Sequence, residues 1–171
     1  MRRVMVLGGS GAGKSTFARK LGAKMGVPAI HMDALFWEPG WVMAREEDFL
    51  ERVADAVAGD AWVMDGNYSR TWPMRLAHAD TVVFLDLATP LRFYRAVRRS
   101  IVNHGETRAD LAPDCPERID FDFLLNWVAR YRWRARPKAL RMMADDGPAS
   151  QLRRVHLRNQ ASVDAFLSSI G

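Results

Sequence analysis

The chain has 171 residues, 49% of them hydrophobic, and a formal net charge of +5, enough length and apolar content for one continuous buried core. It has no run of eighteen or more apolar residues, and Met1-Arg2-Arg3 leads into a short strand and a glycine loop instead of a cleavage site. The expectation is therefore a single soluble, cytoplasmic domain over residues 1–171 with no membrane partner. The lone Cys115 excludes an internal disulfide and a Cys-rich zinc site, and it receives no role.

Val4-Met5-Val6-Leu7 is a short apolar run ended by glycines, and the spacing Phe17, Leu21, Met25 then changes to a helical period. Gly26-Val27-Pro28 breaks that helix, Ala29-Ile30-His31 reads as a strand, and Phe49, Leu50, Val53 and Val57 mark one face of a helix over 46–58. Trp62-Val63-Met64 and Val82-Val83-Phe84-Leu85 have the length and β-branched content of strands buried on both faces. Thr89-Pro90 predicts a helix start, with Leu91, Tyr94 and Ile101 as its apolar stripe and an end near Gly105. Residues 105–120 mix Gly, Pro and charge with little periodicity and predict a mobile excursion. A helix carrying Phe123, Leu124, Trp127, Val128 and Tyr131 follows, broken or kinked at Pro137. Asp145-Asp146-Gly147-Pro148 predicts a turn, Val155-His156-Leu157 a last strand, and Ser162 the cap of a terminal helix through Phe166 and Leu167. Strands alternating with helices predict an α/β fold: a parallel sheet covered on both faces, with the ligand beyond the carboxyl ends of the strands.

Gly8-Gly9-Ser10-Gly11-Ala12-Gly13-Lys14-Ser15 matches the Walker A phosphate loop (P-loop) and lies between a predicted strand and a predicted helix, the setting the motif requires. Its glycines let backbone N–H groups curl around an anion, and the helix start adds unsatisfied donors and a positive dipole end. This predicts a nucleoside triphosphate, ATP, with Lys14 on the β- and γ-phosphates, Ser15 on Mg²⁺, and Thr16 on the α-phosphate side. Asp65 ends its strand where the sheet meets the phosphates and is the favoured second Mg²⁺ residue. Asp86 closes the next strand and competes, although Thr89 and Pro90 suggest a local job at the helix start. His31 and Asp33 follow the second strand at its carboxyl end, as candidates to contact an acceptor. Asp33 would orient a hydroxyl, and His31 makes either a catalytic or a structural hydrogen bond. Phe36, Trp37 and Trp41 either pack as core or line an acceptor pocket.

Residues 92–141 hold twelve of the 25 Lys+Arg and six of the 20 Asp+Glu, while the remainder sums to −1. Arginine suits bidentate contact with phosphate, so the concentration implies a phosphorylated partner, although a solvated basic face is the plainer reading. Arg95 and Arg99 lie one helical turn apart, as do Arg130 and Arg134, so two helices flanking the 105–120 excursion would close guanidinium groups over a triphosphate.

With these motifs and Asp65-Gly66-Asn67-Tyr68-Ser69-Arg70, the chain resembles the adenylate kinase-like branch of P-loop kinases over nearly its whole length. More narrowly, His31-x-Asp33, Trp37-x-x-Gly40-Trp41, Asp65-Gly66-Asn67-Tyr68 and Arg75 before Ala79-Asp80 are similar to bacterial DNA topology modulation proteins, often labelled adenylate kinase-related. The resemblance implies a three-layer, nucleoside monophosphate kinase-like fold with a five-stranded parallel sheet. It also implies an acceptor-binding region near 31–60 and a short lid near 103–120, and Trp37 and Asn67 join His31 and Asp33 as expected substrate contacts. An Asp-Gly-Phe-Pro-Arg segment of such kinases corresponds to Asp65 and Arg70. Here Asn67-Tyr68-Ser69 adds a residue, so that either Arg70 or Arg75 would meet the acceptor. The backbone near Arg158-Asn159-Gln160 would touch the adenine.

The function expected is an ATP-dependent phosphotransferase acting on a small-molecule or nucleotide acceptor. A nucleic-acid-associated ATPase is the alternative, disfavoured because no helix-turn-helix, zinc-finger or RNA-binding signature is present. A GTPase switch lacks its Asn-Lys-x-Asp signature. The sequence leaves the oligomeric state open.

Overall fold

The computed structural model describes residues 1–144 and 152–170, so the turn expected at Asp145-Asp146-Gly147-Pro148 lies outside the described residues. The first half runs β1 (Arg3–Gly8), α1 (Lys14–Met25), β2 (Ala29–His31), α2 (Met32–Phe36), β3 (Trp37–Glu38), β4 (Val42–Met43), α3 (Glu46–Val57) and β5 (Trp62–Asp65). A 3₁₀ turn (Ser69–Thr71) then leads to α4 (Trp72–His78), β6 (Thr81–Leu85) and α5 (Thr89–Val102). A π-helix (Phe123–Ala129), α6 (Tyr131–Arg134), α7 (Arg136–Ala144), β7 (Arg153–Leu157) and α8 (Gln160–Ser168) complete the described chain.

Five strands form one parallel sheet in the order β2-β5-β1-β6-β7, and β3 and β4 form a separate antiparallel hairpin. Parallel strands are buried on both faces, which is why they read as unbroken apolar runs. Val4, Val6, Val83 and Leu85 pack on Phe17, Ala18 and Leu21 of α1 and Val163 and Leu167 of α8. Met5, Leu7, Val82 and Phe84 face Phe49, Val53 and Val57 of α3 and Trp72 of α4. The result is a three-layer α/β arrangement. Its register pairs Val6 with Asp65, and His31 with Asp65, so the ends of β2 and β5 stand beside the loop that follows β1.

Several local expectations are corrected. In α5, Tyr94 and Ile101 are exposed, whereas Arg92, Ala96 and Ser100 are buried at i, i+4 spacing. Phe93 and Val97 pack beside Ala96 against Leu124 and Val128 of the π-helix. The buried stripe is polar at two of its three positions, so a count of apolar residues points to the wrong face. Ala88, not Thr89, is the N-cap, with Pro90 in the first turn where its missing N–H costs nothing. The helix expected through Phe123 and Tyr131 is π-helical up to Ala129, buries Leu124, Val128 and Tyr131, and exposes Trp127. Asn159, not Ser162, caps α8: Ser162 N–H donates to Asn159 Oδ1 at 2.8 Å, while Ser162 Oγ accepts from Asn159 N–H at 3.3 Å.

The irregular segment 105–120 is a folded loop. Gly105 N–H donates to Glu117 C=O and Glu117 N–H to Glu106 C=O, both at 2.9 Å. Leu111, Ala112 and Cys115 are buried against Trp37 and Trp41, Gly40 N–H donates to Asp114 C=O at 2.7 Å, and Trp41 Nε1–H donates to Pro116 C=O at 2.9 Å. Cys115 acts as a small buried apolar residue. No helix among the described residues is long and apolar enough to cross a membrane.

Candidate active site

β1 delivers the chain to a loop that turns back before α1, with Ala12 N–H donating to Gly9 C=O at 3.0 Å. Gly11 and Gly13 have φ of 78° and 85°, where an L side chain is strained, and a Cβ on Gly11 would lie 2.0 Å from Arg92 C=O. Gly13 is the N-cap of α1 and offers no side chain to the first turn, which leaves those amide donors for an anion. Two side chains fasten the loop from outside. Asn67 Nδ2–H donates to Gly8 C=O at 2.9 Å, and Gly8 N–H donates to Asn67 Oδ1 at 3.2 Å. Arg92, buried under the loop, donates to the carbonyls of Leu87, Ser10 and Val128 at 3.1, 3.3 and 3.3 Å, and lies 4.8 Å from the ring centre of Tyr131. Burial holds the Arg92 pKa below the ordinary arginine value.

Lys14, Ser15, Asp65 and His31 meet at the mouth of this loop. Ser15 Oγ–H donates to Asp65 Oδ2 at 3.0 Å, and His31 Nδ1 shares a hydrogen bond with Asp65 Oδ1. Burial pushes the Lys14 ammonium below the usual lysine value, opposed by Asp65 and Asp33. Across the cavity Tyr68 Oη–H donates to Asp33 Oδ1 at 2.7 Å. Burial, with Asp33 adding to it, raises the Tyr68 pKa above the ordinary phenol value and keeps it a neutral donor. Ser15 and Asp65 are two hard oxygen donors, and no group of three or more His, Cys, Asp or Glu among the described residues could cage a metal alone. That sparse set fits Mg²⁺, which takes its other ligands from phosphates and water.

The arginines divide sharply. Arg95, Arg99 and Arg134 line a cavity of about 1660 Å³ together with Lys14 and Asp33. Arg95 donates to Gln160 Oε1 at 2.9 Å. Arg99 and Arg108 grip the two oxygens of buried Glu117, each at 2.9 Å, and Arg108 also donates to buried Asp110 at 3.1 Å. The Arg158 side chain is exposed. Two expected contacts are not made. Arg130 turns away to Asn126 Oδ1 at 2.7 Å, outside the cavity lining. Arg75 is fully buried and donates to the carbonyls of Gly66 and Met64, so it holds the turn after β5 and does not reach an acceptor. Arg70 lines the cavity but is paired with Glu46 at 2.9 Å. Asn67 borders the cavity with its amide taken by Gly8, which removes it as a free substrate contact. Asp86 neither competes for the metal nor caps a helix: Arg136 donates to both of its oxygens at 2.7 and 2.8 Å, and His156 contacts it at 2.9 Å.

No family model and no curated protein matches the sequence. Among solved structures, the chain is similar to a shikimate kinase from Acinetobacter baumannii in complex with shikimate, with a TM-score of 0.58 and 16% identity over 99% of this chain and 90% of that one. It is also similar to an uncharacterized protein from Eubacterium ventriosum, with a TM-score of 0.51 and 13% identity over 98% of this chain and 97% of that one. The fold is a three-layer α/β, P-loop kinase-like fold.

The site contains residues that sequence reasoning missed. Tyr68 carries no signal beyond its place after Asp65-Gly66-Asn67, yet its backbone sits at φ 28° and ψ 64° and aims the ring at Asp33. Arg108, Asp110 and Glu117 lie in the segment without periodicity, and only their charge marked them. Trp37 and Trp41 line the cavity and also pack under residues 105–120.

Proposed function

We propose that the protein is an ATP-dependent phosphotransferase acting as one P-loop kinase domain, with residues 31–60 as the acceptor region and 103–120 as the lid. The observation that carries this reading is the convergence of Lys14, Ser15 and Asp65 at the uncapped start of α1, with Asp33 facing the same cavity. Amides of the loop and Lys14 bind the β- and γ-phosphates. Ser15 and Asp65 hold Mg²⁺ directly or through water, and the ion, when bound, neutralises charge on the phosphates.

The acceptor hydroxyl attacks the γ-phosphorus, a new O–P bond forms, and the bond to the β–γ bridging oxygen breaks to leave ADP. Asp33 orients that hydroxyl and takes its proton. Arg95, Arg99, Arg108 and Arg134 stabilise charge on the transferring group, with Arg99 and Arg108 exchanging Glu117 for phosphate as ATP enters. The adenine is met by backbone near Arg158 and Gln160. Four arginines of the basic stretch, Arg92, Arg99, Arg108 and Arg136, have internal partners and are spent on the fold or the cavity, which favours this reading over a nucleic-acid surface. The test is coupled detection of ADP release from MgATP against nucleotides and small alcohols. Folded, ATP-binding protein that releases no ADP with any acceptor would overturn the assignment.

A further inference from the structure

The face of the cavity opposite the phosphate loop has its own chemistry. Phe36 meets Trp37, Phe49 and Tyr68 at ring-centre distances of 5.0, 5.1 and 5.0 Å. Trp37 meets Trp41 at 5.3 Å, and Phe49 meets Tyr68 at 5.3 Å. All five rings line the cavity, forming one continuous aromatic wall. Within it stands Asp33, with one oxygen held by Tyr68 at 2.7 Å and no hydrogen-bond partner on the other among the described residues.

The charge on this wall is unsuited to a phosphorylated acceptor. Asp33 and Glu46 are its carboxylates and outnumber Arg70, which pairs with Glu46 at the solvent-exposed edge, while Arg75 is buried on backbone carbonyls. The cations at its rim, Arg118 and Lys138, lie over the indole rings of Trp41 and Trp72 at 5.6 and 5.4 Å. A phosphate dianion needs a fork of donors, and placed here it would meet two carboxylates against Arg70 at the edge. A flat ring, in contrast, finds several aromatic faces and edges to pack on.

Resting on the kinase reading above, we propose that the acceptor is a hydroxyl compound with a flat, uncharged ring and no phosphate group. Its hydroxyl is taken by the Asp33 oxygen that Tyr68 leaves free. Tyr68 is the positioning residue. It holds the carboxylate in one orientation, and its left-handed backbone at φ 28°, following Gly66 at φ 135°, is a strained turn of the kind retained where a side chain must be aimed.

The experiment measures steady-state ADP release by the full chain with MgATP and three sets of probes: the four ribonucleosides with benzyl alcohol and hydroxymethylpyridine, the matching nucleoside 5′-monophosphates, and the ringless alcohols glycerol and ribitol. The best neutral ring alcohol should exceed every phosphorylated probe in kcat/KM by about 100-fold, a like-charge penalty of about 2.8 kcal/mol. With that acceptor, Tyr68→Phe should lower kcat by about 10- to 100-fold with the KM for ATP unchanged, the scale of one hydrogen bond to a charged group. Trp37→Ala should raise the acceptor KM and leave kcat in place. Preference for a monophosphate or a ringless alcohol would overturn the inference and leave the kinase reading standing. Unchanged kinetics in Tyr68→Phe would overturn the positioning role. ADP release with none of the probes, from protein that binds MgATP, would bring down the kinase reading and this inference with it.

Discussion

On the phosphate-loop side of the cavity, backbone amides and the side chains of Lys14, Arg95 and Arg99 face inward, whereas the opposite side offers rings and a carboxylate held by Tyr68. The first wall binds charge through donors set by backbone geometry, and almost any P-loop could do the same. The second depends on side-chain identity. Under the proposed function, the difference teaches that the donor nucleotide is inscribed in a local motif, while acceptor choice is distributed over α2, the β3–β4 hairpin, α3 and the turn after β5.

Substitutions on the two walls should therefore fail differently. Lys14→Ala is the largest expected effect: turnover should fall by about 100- to 1,000-fold, the scale of losing one preorganised charge-stabilising donor, with the melting temperature nearly unchanged. Steady-state ADP release and thermal denaturation measure the two halves of that statement. Retained turnover would break the assignment of the first wall.

Arg92→Ala should act on stability before activity. It leaves the buried carbonyls of Leu87, Ser10 and Val128 short of a donor and opens a cavity beside Tyr131, costing about 3 kcal/mol in urea denaturation. A loss under about 1 kcal/mol would mean that water satisfies those carbonyls and that Arg92 does not fasten the loop. Asn67→Ala should weaken MgATP binding by about tenfold in calorimetry, since Gly8 loses both of its amide partners. If acceptor KM changed instead, Asn67 would belong to the second wall.

The smallest effect lies outside both walls. Arg136 and His156 hold the Asp86 carboxyl below its ordinary pKa of 3.8 although burial opposes them. A carboxyl depressed in the folded state stabilises fully above its unfolded pKa, and that contribution is lost as pH falls through the folded value. Asp86→Asn should therefore melt lower than the parent near neutral pH. The gap should narrow in acid below pH 3.8, and activity should change little.

The comparison also explains what the sequence disclosed. The sheet and the loop were legible because strands buried on both faces read as apolar runs, and because a phosphate loop must be contiguous. Asp65 was legible from its place at a strand end. Arg75 and Arg92 were not. Their partners are carbonyls of turns and helix ends, and arginine donors aimed at backbone leave no pattern in a sequence. The buried face of α5 was misread for the same reason, since two of its three positions are polar. The folded loop 105–120 rests on Asp110 meeting Arg19 of α1 and Glu117 meeting Arg99 of α5, a long-range fact that periodicity cannot carry. The contact between Tyr68 and Asp33 depends on a backbone angle at Tyr68 that no residue pattern announces.

Acceptor-dependent ADP release is the most direct test of phosphoryl transfer across this cavity. With MgATP and a neutral ring alcohol, the wild type should release ADP several-fold faster than with MgATP alone. That stimulation should disappear in both Lys14→Ala and Asp33→Asn, one substitution on each wall. ADP release that is the same with and without every acceptor, or stimulation that survives Asp33→Asn in full, would contradict the account.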